Sequence, residues 1–317
     1  MPIEIKDQDN PKKRFLDYRD YAEDVKNRMT GIIMRQETSG EKNEAELQAF
    51  FEKYPSALLG VLSSVPANYQ IGGMSVIYQP RIKSYSRDRQ PDFLIMTTNS
   101  QELYFNFIEI ESPAKKLFHP KNFDVSDEFK HALSQLRQWK SFNKDVIPAY
   151  CKELIEKVFK DNADLTKEKN WHYNFILLYG NSNEITDKKD STYNNLITSH
   201  FTEHDFHHIT FSRLMDAYTF KFPLMTILRK ATDNQFRAIG MVPLKTYGLD
   251  EWINFHLVTG KEEVVKNLDI LTDAEKTELI KQIIALDTLN AKAIWKRNDL
   301  TTWEFGSGID FDVDNLL

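Results

Sequence analysis

The 317-residue sequence holds a single cysteine, Cys151, and only 11 glycines. One cysteine excludes an intrachain disulfide framework and any cysteine-rich zinc site, and it fits a reducing cytoplasm. So few glycines allow no phosphate-binding loop and no dinucleotide fingerprint. No serine elbow of the hydrolase kind is present. No His-Glu-x-x-His run accompanies His200, His204, His207 and His208. His200 and His204 are spaced like a helical metal pair. They stand at an expected helix end and strand start, away from the acidic residues described below, so all four are expected to be surface histidines. No apolar run approaches the ~20 residues that span a bilayer. The N-terminal segment MPIEIKDQDNPKKRF lacks the apolar stretch of a secretory signal. These absences predict a cytoplasmic protein with no membrane partner. There is no internal repeat and no low-complexity segment.

What is present suffices for a folded chain. Hydrophobic residues make up 41% and aromatics 12%, which excludes global disorder. The length predicts about two domains at roughly 150 residues each. Lys and Arg number 41 against 47 Asp and Glu, a net charge of −6, which argues against a generic polyanion binder and is silent on a local basic groove. The charge is uneven. Between Ser75 and Lys140 ten bases face eight acids, whereas the last 17 residues carry four acids and no base.

Periodicity predicts the elements. Phe15, Tyr18, Tyr21, Val25, Met29 and Ile32 mark an amphipathic helix ending near Ser39-Gly40. Leu47, Phe50, Phe51 and Tyr54 mark a second, stopped before Pro55. Residues 56–72 read as loop and short elements. Ser75–Tyr78, Asp92–Met96 and Leu103–Glu111 read as strands, the last two joined as an antiparallel hairpin by Thr97-Thr98-Asn99-Ser100. Helices are predicted over Asp127–Phe142 and about 147–159. The continuous apolar run from Asn174 to Gly180 predicts a strand covered on both faces. A helix at about 191–201, a strand His208–Phe211 and a helix from Ser212 continue an α/β pattern. Past residue 222 strand signals vanish, and helices are predicted at about 223–231, 249–258, 261–268 and 273–296. Thr272 and Glu275 form a capping box for the last of these.

The chemistry gathers around Phe105–Glu111. Side chains alternate along a strand, so Leu103, Phe105 and Phe107 share a face with Glu109 and Glu111, while Ile108 and Ile110 take the other. Two carboxylates thus end an apolar row. Like charges in a half-buried place are costly unless protons or a cation compensate. A strand-end carboxylate that faces water escapes that cost, so these residues alone leave a solvated edge and a metal site both open. Asp92 opens the partner strand after Pro91, and a hairpin brings it toward the same end. Three converging carboxylates would make a hard oxygen site suited to Mg²⁺ or Mn²⁺.

Gln90-Pro91-Asp92-Phe93 followed by Glu109-Ile110-Glu111 resembles the core of PD-(D/E)xK nucleases. Asn43–Pro55, with Leu47-Gln48 and the pair Phe50-Phe51, resembles the opening helix of Shedu-type defence nucleases. Ile108–Pro113 followed by Lys115-Lys116-Leu117-Phe118, and Ile209–Leu214, resemble later segments of that family. The similarity covers roughly residues 40–220. It implies an α/β fold with a restriction-endonuclease-like mixed central sheet flanked by helices. Residues 41–220 would form the nuclease domain, 1–40 an N-terminal helical extension and 221–317 a C-terminal helical region. It also implies Mg²⁺- or Mn²⁺-dependent cleavage of DNA in bacterial defence against phage. The expected partners are DNA and further copies of the chain, as a dimer or tetramer.

By the same resemblance the metal ligands are Asp92, Glu109, the Ile110 carbonyl and Glu111. One residue departs from the family pattern, which has lysine where this chain has Glu111. Either Glu111 serves as a metal ligand or water base, or Lys115 or Lys116 supplies the cation, or the site is inactive and the protein binds DNA or a protein partner. Gln135 and Trp139 resemble the Q-x-x-x-Y element of RecB-like nucleases, so Gln135 could bond a metal-bound water or a phosphate. The alternative is Trp139 in the core with Gln135 as its polar edge. Glu44, one turn before Gln48, either closes the metal site or is an exposed helix-start acid favoured by the helix dipole.

Overall fold

A computed structural model describes residues 18–65, 75–82, 90–119, 124–141, 145–158, 168–184, 195, 205–218, 226–230, 236–239, 261–266 and 272–298. The helix expected at 249–258, nearly all of that at 191–201, and His200, His204, Arg87 and Arg89 lie outside the described residues.

Helix α1 spans Tyr18–Ser39. It buries Val25, Met29 and Ile33, four residues apart on one stripe. Gly40 ends it in the left-handed region at φ 72°, its N–H donating to the Gln36 carbonyl at 2.9 Å. Helix α2 spans Glu44–Lys53. Its N-cap Asn43 accepts the Glu46 N–H at 3.2 Å, and Pro55 follows its last turn. The stretch after it, expected as loop and short elements, holds a ten-residue 3₁₀ helix, Pro55–Ser64, with Ala57, Leu58, Leu59 and Val61 buried. Its all-round apolar sequence shows no 3.6-residue period to betray it. Gly60 is required there: a Cβ would stand 2.8 Å from Leu214 Cδ1 and 3.0 Å from the Leu214 carbonyl oxygen.

Five strands follow the expected course: β1 Ser75–Tyr78, β2 Phe93–Thr98, β3 Glu102–Ile110, β4 Asn170–Leu178 and β5 Phe206–Ile209. Between them lie α3 Asp127–Ser141 and α4 Val146–Val158, and α5 Phe211–Ala217 comes after β5. Two further strands correct the expectation of helices alone past residue 222. Thr226–Lys230 (β6) pairs in parallel with β1, and Phe236–Ile239 (β7) pairs antiparallel with β6. The helix expected at 223–231 is therefore a strand. A five-residue run cannot show which period it follows, and β1 offers an edge whose backbone groups need partners. Helices α6 Lys261–Lys266 and α7 Asp273–Asn298 agree with expectation. At the start of α7 the Thr272 N–H donates to Glu275 Oε2 at 2.7 Å and the Glu275 N–H donates to Thr272 Oγ1 at 3.4 Å, the expected capping box.

The result is an α/β fold with a seven-stranded mixed sheet in the order β5-β4-β3-β2-β1-β6-β7. β2 and β3 form the antiparallel hairpin, and β3 and β4 run parallel with Glu109 opposite Leu177. Helices flank both faces. On one face Phe105, Phe107 and Phe175 pack with Phe129, Leu133, Leu136 and Trp139 of α3 and with Cys151 of α4. On the other, Ile95, Ile108 and Ile110 pack with α1, α2, the 3₁₀ helix and α5. The alternation read along β3 is thus the observed one. Among the described residues no helix is long and apolar enough to cross a membrane.

Gly180, just beyond β4, sits at φ 63°, where a Cβ would stand 3.1 Å from the Lys115 carbonyl oxygen. Gly180→Ala is therefore expected to destabilise by about 1–3 kcal/mol in denaturant unfolding, through left-handed strain and the crowded turn. Gly31→Ala, in α1 with nothing within 4 Å, should be neutral or stabilising by up to about 1 kcal/mol.

Candidate active site

The register places the acids. Phe93 pairs with Ile108, so Asp92, one residue earlier, faces Glu109 across the hairpin. Ile110 lies beyond the last β2 partner, and its N–H donates instead to Asp92 Oδ2 at 2.7 Å. Gln48 on α2 donates from Nε2 to Asp92 Oδ1 at 2.7 Å. Gln48 is a site residue that the sequence reading left without a role. Its spacing of four from Glu44 was the available signal, since both must then face the same way.

Glu111 follows β3, anchored by its N–H to the Leu178 carbonyl at 2.9 Å. Its carboxylate binds the Lys115 ammonium, which also reaches Glu44 Oε1 at 2.6 Å. The structure thus brings Glu44, Glu111 and Lys115 together and sets Asp92 across from Glu109 beside them. Glu109 Oε2 is shut from solvent and has no hydrogen-bond partner among the described residues. Lys116 points elsewhere, to Glu184 Oε1 at 3.0 Å. Of the two lysines considered for this site, Lys115 is the one in place. Gln135 is half-buried on α3, and no described hydrogen bond joins it to the acids. Trp139 packs in the core. Arg137 is exposed on the same helix.

Burial dominates the electrostatics. It pushes Asp92 up to about 7, helped by the negative charge of Glu44 and opposed by the hydrogen bonds from Ile110 and Gln48. It lifts Glu109 well above the carboxylate range, with Asp92, Glu111 and Glu44 adding to the rise and Lys115 opposing it. It raises Glu111 to about 7 against the hydrogen bond from Lys115, with Glu44 adding to the rise. Burial alone would lower Lys115, but its hydrogen bonds to Glu111 and Glu44 outweigh that and hold it above its ordinary value. Both partners of the Lys115–Glu111 pair therefore shift upward. The ammonium stays charged, and the surplus negative charge of the acids is relieved by protons.

A hard divalent cation could take the place of those protons. The donors fit it in kind: carboxylate oxygens, one of them buried and unpartnered. A ready set of ligands is not formed, since among the described residues no group of three or more His, Cys, Asp or Glu stands ready to hold a metal ion. Each Asp92 oxygen already accepts one hydrogen bond, and Lys115 lies between Glu44 and Glu111.

The two described members of the histidine cluster correct another expectation. His207 and His208 are half-buried strand residues of β5, not surface ones. His208 Nε2 meets the Tyr179 carbonyl at 3.1 Å, and burial pushes its pKa down to about 4. The strand sets His208 against the Phe129 ring rather than in water, and alternation turns His207 to the other face.

An α/β mixed sheet with a buried carboxylate cluster at a strand end defines the class. Residues 41–215, more than half of the chain, match the family described as Shedu protein SduA, C-terminal, and the chain belongs to that family. Membership points to a part in anti-phage defence. No curated protein matches the chain.

The raised acids make stability depend on pH. The side chains of Asp92 and Glu111 ionise near 3.8 and 4.5 when unperturbed but near 7 here, so the folded protein binds more protons between those limits. Their contribution is complete below about pH 4 and is lost as pH rises through 7, at about 1.4 kcal/mol per pH unit for each extra proton. In EDTA, unfolding free energy should fall between pH 5 and 8, and Asp92→Asn should flatten that slope. An unchanged slope in Asp92→Asn would contradict the assignment.

Proposed function

We propose that this chain is a divalent-metal-dependent DNA endonuclease or nickase of the PD-(D/E)xK kind, acting in the bacterial cytoplasm in defence against phage. The observation that carries this reading is the buried, unpartnered Glu109 oxygen among Glu44, Asp92 and Glu111, with Lys115 as their counter-charge. Asp92, Glu109, the Ile110 carbonyl and Glu111 would hold Mg²⁺ or Mn²⁺. When bound, such an ion supplies Lewis-acid polarisation of the phosphodiester and lowers the pKa of a water.

The chain's own groups do the rest. Glu111, whose carboxyl ionises near neutrality, is placed to accept a proton from the attacking water. Lys115 provides in space the positive charge that the family pattern places at residue 111, four residues earlier. It is oriented from two sides, by Glu44 and Glu111, and so offers a fixed cation to the charge developing on the phosphate. Gln48 and the Ile110 N–H fix the Asp92 carboxylate. The apolar face of Phe105 and Phe107 behind the acids limits bulk water there. DNA would approach the exposed side of this sheet end, with Arg137 and the basic run that includes Arg87 and Arg89 as candidate phosphate contacts.

The test is supercoiled plasmid incubated with the purified protein in Mg²⁺, Mn²⁺ or EDTA. Nicking or linearisation in metal alone is expected. Asp92→Ala and Glu109→Ala should abolish it, with stability changed by no more than about 2 kcal/mol or increased, because like-charge repulsion is relieved. Glu111→Gln and Lys115→Ala should each slow it by about 10²-fold or more, and Lys116→Ala far less. DNA affinity should fall by roughly 0.9 log unit per log unit of salt for each phosphate contact. A parent inert with every metal, beside a Glu111→Lys variant that cuts, would instead favour a catalytically inactive nuclease-fold protein.

A further inference from the structure

Gln36 is fully buried near the end of α1, outside the segment that matches the family. A buried carboxamide must have partners, and Gln36 has them on two sides. Its Nε2 donates to the Asn43 carbonyl at 2.8 Å and to Glu46 Oε2 at 3.1 Å. Its Oε1 accepts the Ser112 hydroxyl at 3.0 Å. The Ser112 oxygen in turn accepts the Ala114 N–H at 3.1 Å, and the Lys115 N–H donates to the Ser112 carbonyl at 3.2 Å. One side chain therefore spans two backbone segments. The first is the N-cap of α2, next to Glu44. The second is the turn that begins after Glu111 and delivers Lys115.

From this bridge we infer that Gln36 is a positioning residue for the acidic site, setting the separation of Glu44 and Glu111 on either side of Lys115. The assignment rests on the proposed reading of that cluster as the working site. The geometry favours positioning over mere filling of space. A carboxamide that only filled the core would need no partners on both segments, and an apolar residue of its size would serve. Three hydrogen bonds in series, from Asn43 through Gln36 and Ser112 to Ala114, let a displacement on one side reach the other.

Amide hydrogen exchange, read by NMR on the full chain without metal or DNA, tests this independently of cleavage. The Glu46 amide reports the α2 cap, and the Ala114 and Lys115 amides report the turn. Gln36→Met keeps the volume and removes every side-chain hydrogen bond of this residue. It should speed exchange at all three amides by about tenfold, the scale of one lost hydrogen bond. Labelling of the buried Cys151 thiol should stay as slow as in the parent, which excludes general loosening. Should Gln36→Met fail to fold, Ser112→Ala decides alone. It should speed exchange at Glu46 although that residue lies 66 positions away in the chain. In an active parent, both variants should lower kcat and leave the KM for DNA unchanged. Exchange confined to the substituted side, a fall in melting temperature with all three amides unmoved, or a change in KM alone would each overturn the assignment. An inert parent would remove the nuclease reading while leaving the exchange result to stand or fall by itself.

Discussion

Four carboxylates, Glu44, Asp92, Glu109 and Glu111, share one largely buried end of the sheet with the single ammonium of Lys115, and their surroundings are organised to hold that surplus of negative charge. In a low-dielectric setting a like-charged pair is expensive, and it persists only where protons or a cation relieve it. Burial pushes the Asp92 and Glu111 carboxyls up to about 7, so protons can take that role as pH falls below neutrality. Asp92 accepts two directed hydrogen bonds, from Gln48 and from the Ile110 N–H, which fix its orientation and favour its ionised form. Such an arrangement gives no advantage in stability over apolar packing.

The sheet provides the rigidity this needs. β3 is paired in parallel with β4 along its whole length and antiparallel with β2 from Leu103 to Ile108, and beyond that pairing Asp92 takes the Ile110 N–H, so the point where it ends is fixed. The turn after Glu111 is pinned from three directions. Ser112 binds Gln36, the Leu117 N–H donates to Glu184 at 3.1 Å, and Gly180 comes close enough to the Lys115 carbonyl that no side chain would fit without displacement. Helix α1 is part of this frame. Val25, Met29 and Ile33 share the core of the second sheet face, so a helix beyond the family-matched segment is packed against that segment's own helix α5.

Much of this was legible in the sequence, for identifiable reasons. Period-two alternation placed Glu109 and Glu111 on one face of β3, and the hairpin turn brought Asp92 to the same end. Lys115 could be named but not chosen over Lys116, because the choice depends on a turn closed by Gly180 and Glu184, both more than 60 residues downstream. Gln36 and Gln48 carried no local signal beyond helical spacing, since their partners are set by tertiary packing. β6 and β7 carry no strand signal in the sequence, because short strands borrow their stability from the edge they join. His207 and His208 were read as exposed for want of any cue to the ring contacts of the sheet end.

The claim on which the account turns is that this cluster exchanges protons for a divalent cation. Calorimetric titration of Mn²⁺ into the protein near pH 6.5, repeated in buffers of different ionisation enthalpy, measures both binding and proton release. Saturable binding with release of protons is predicted, because the raised carboxyls must ionise to act as ligands, and Glu109→Gln should weaken it severely. No saturable binding, or binding that Glu109→Gln leaves intact and that releases no proton, would contradict it.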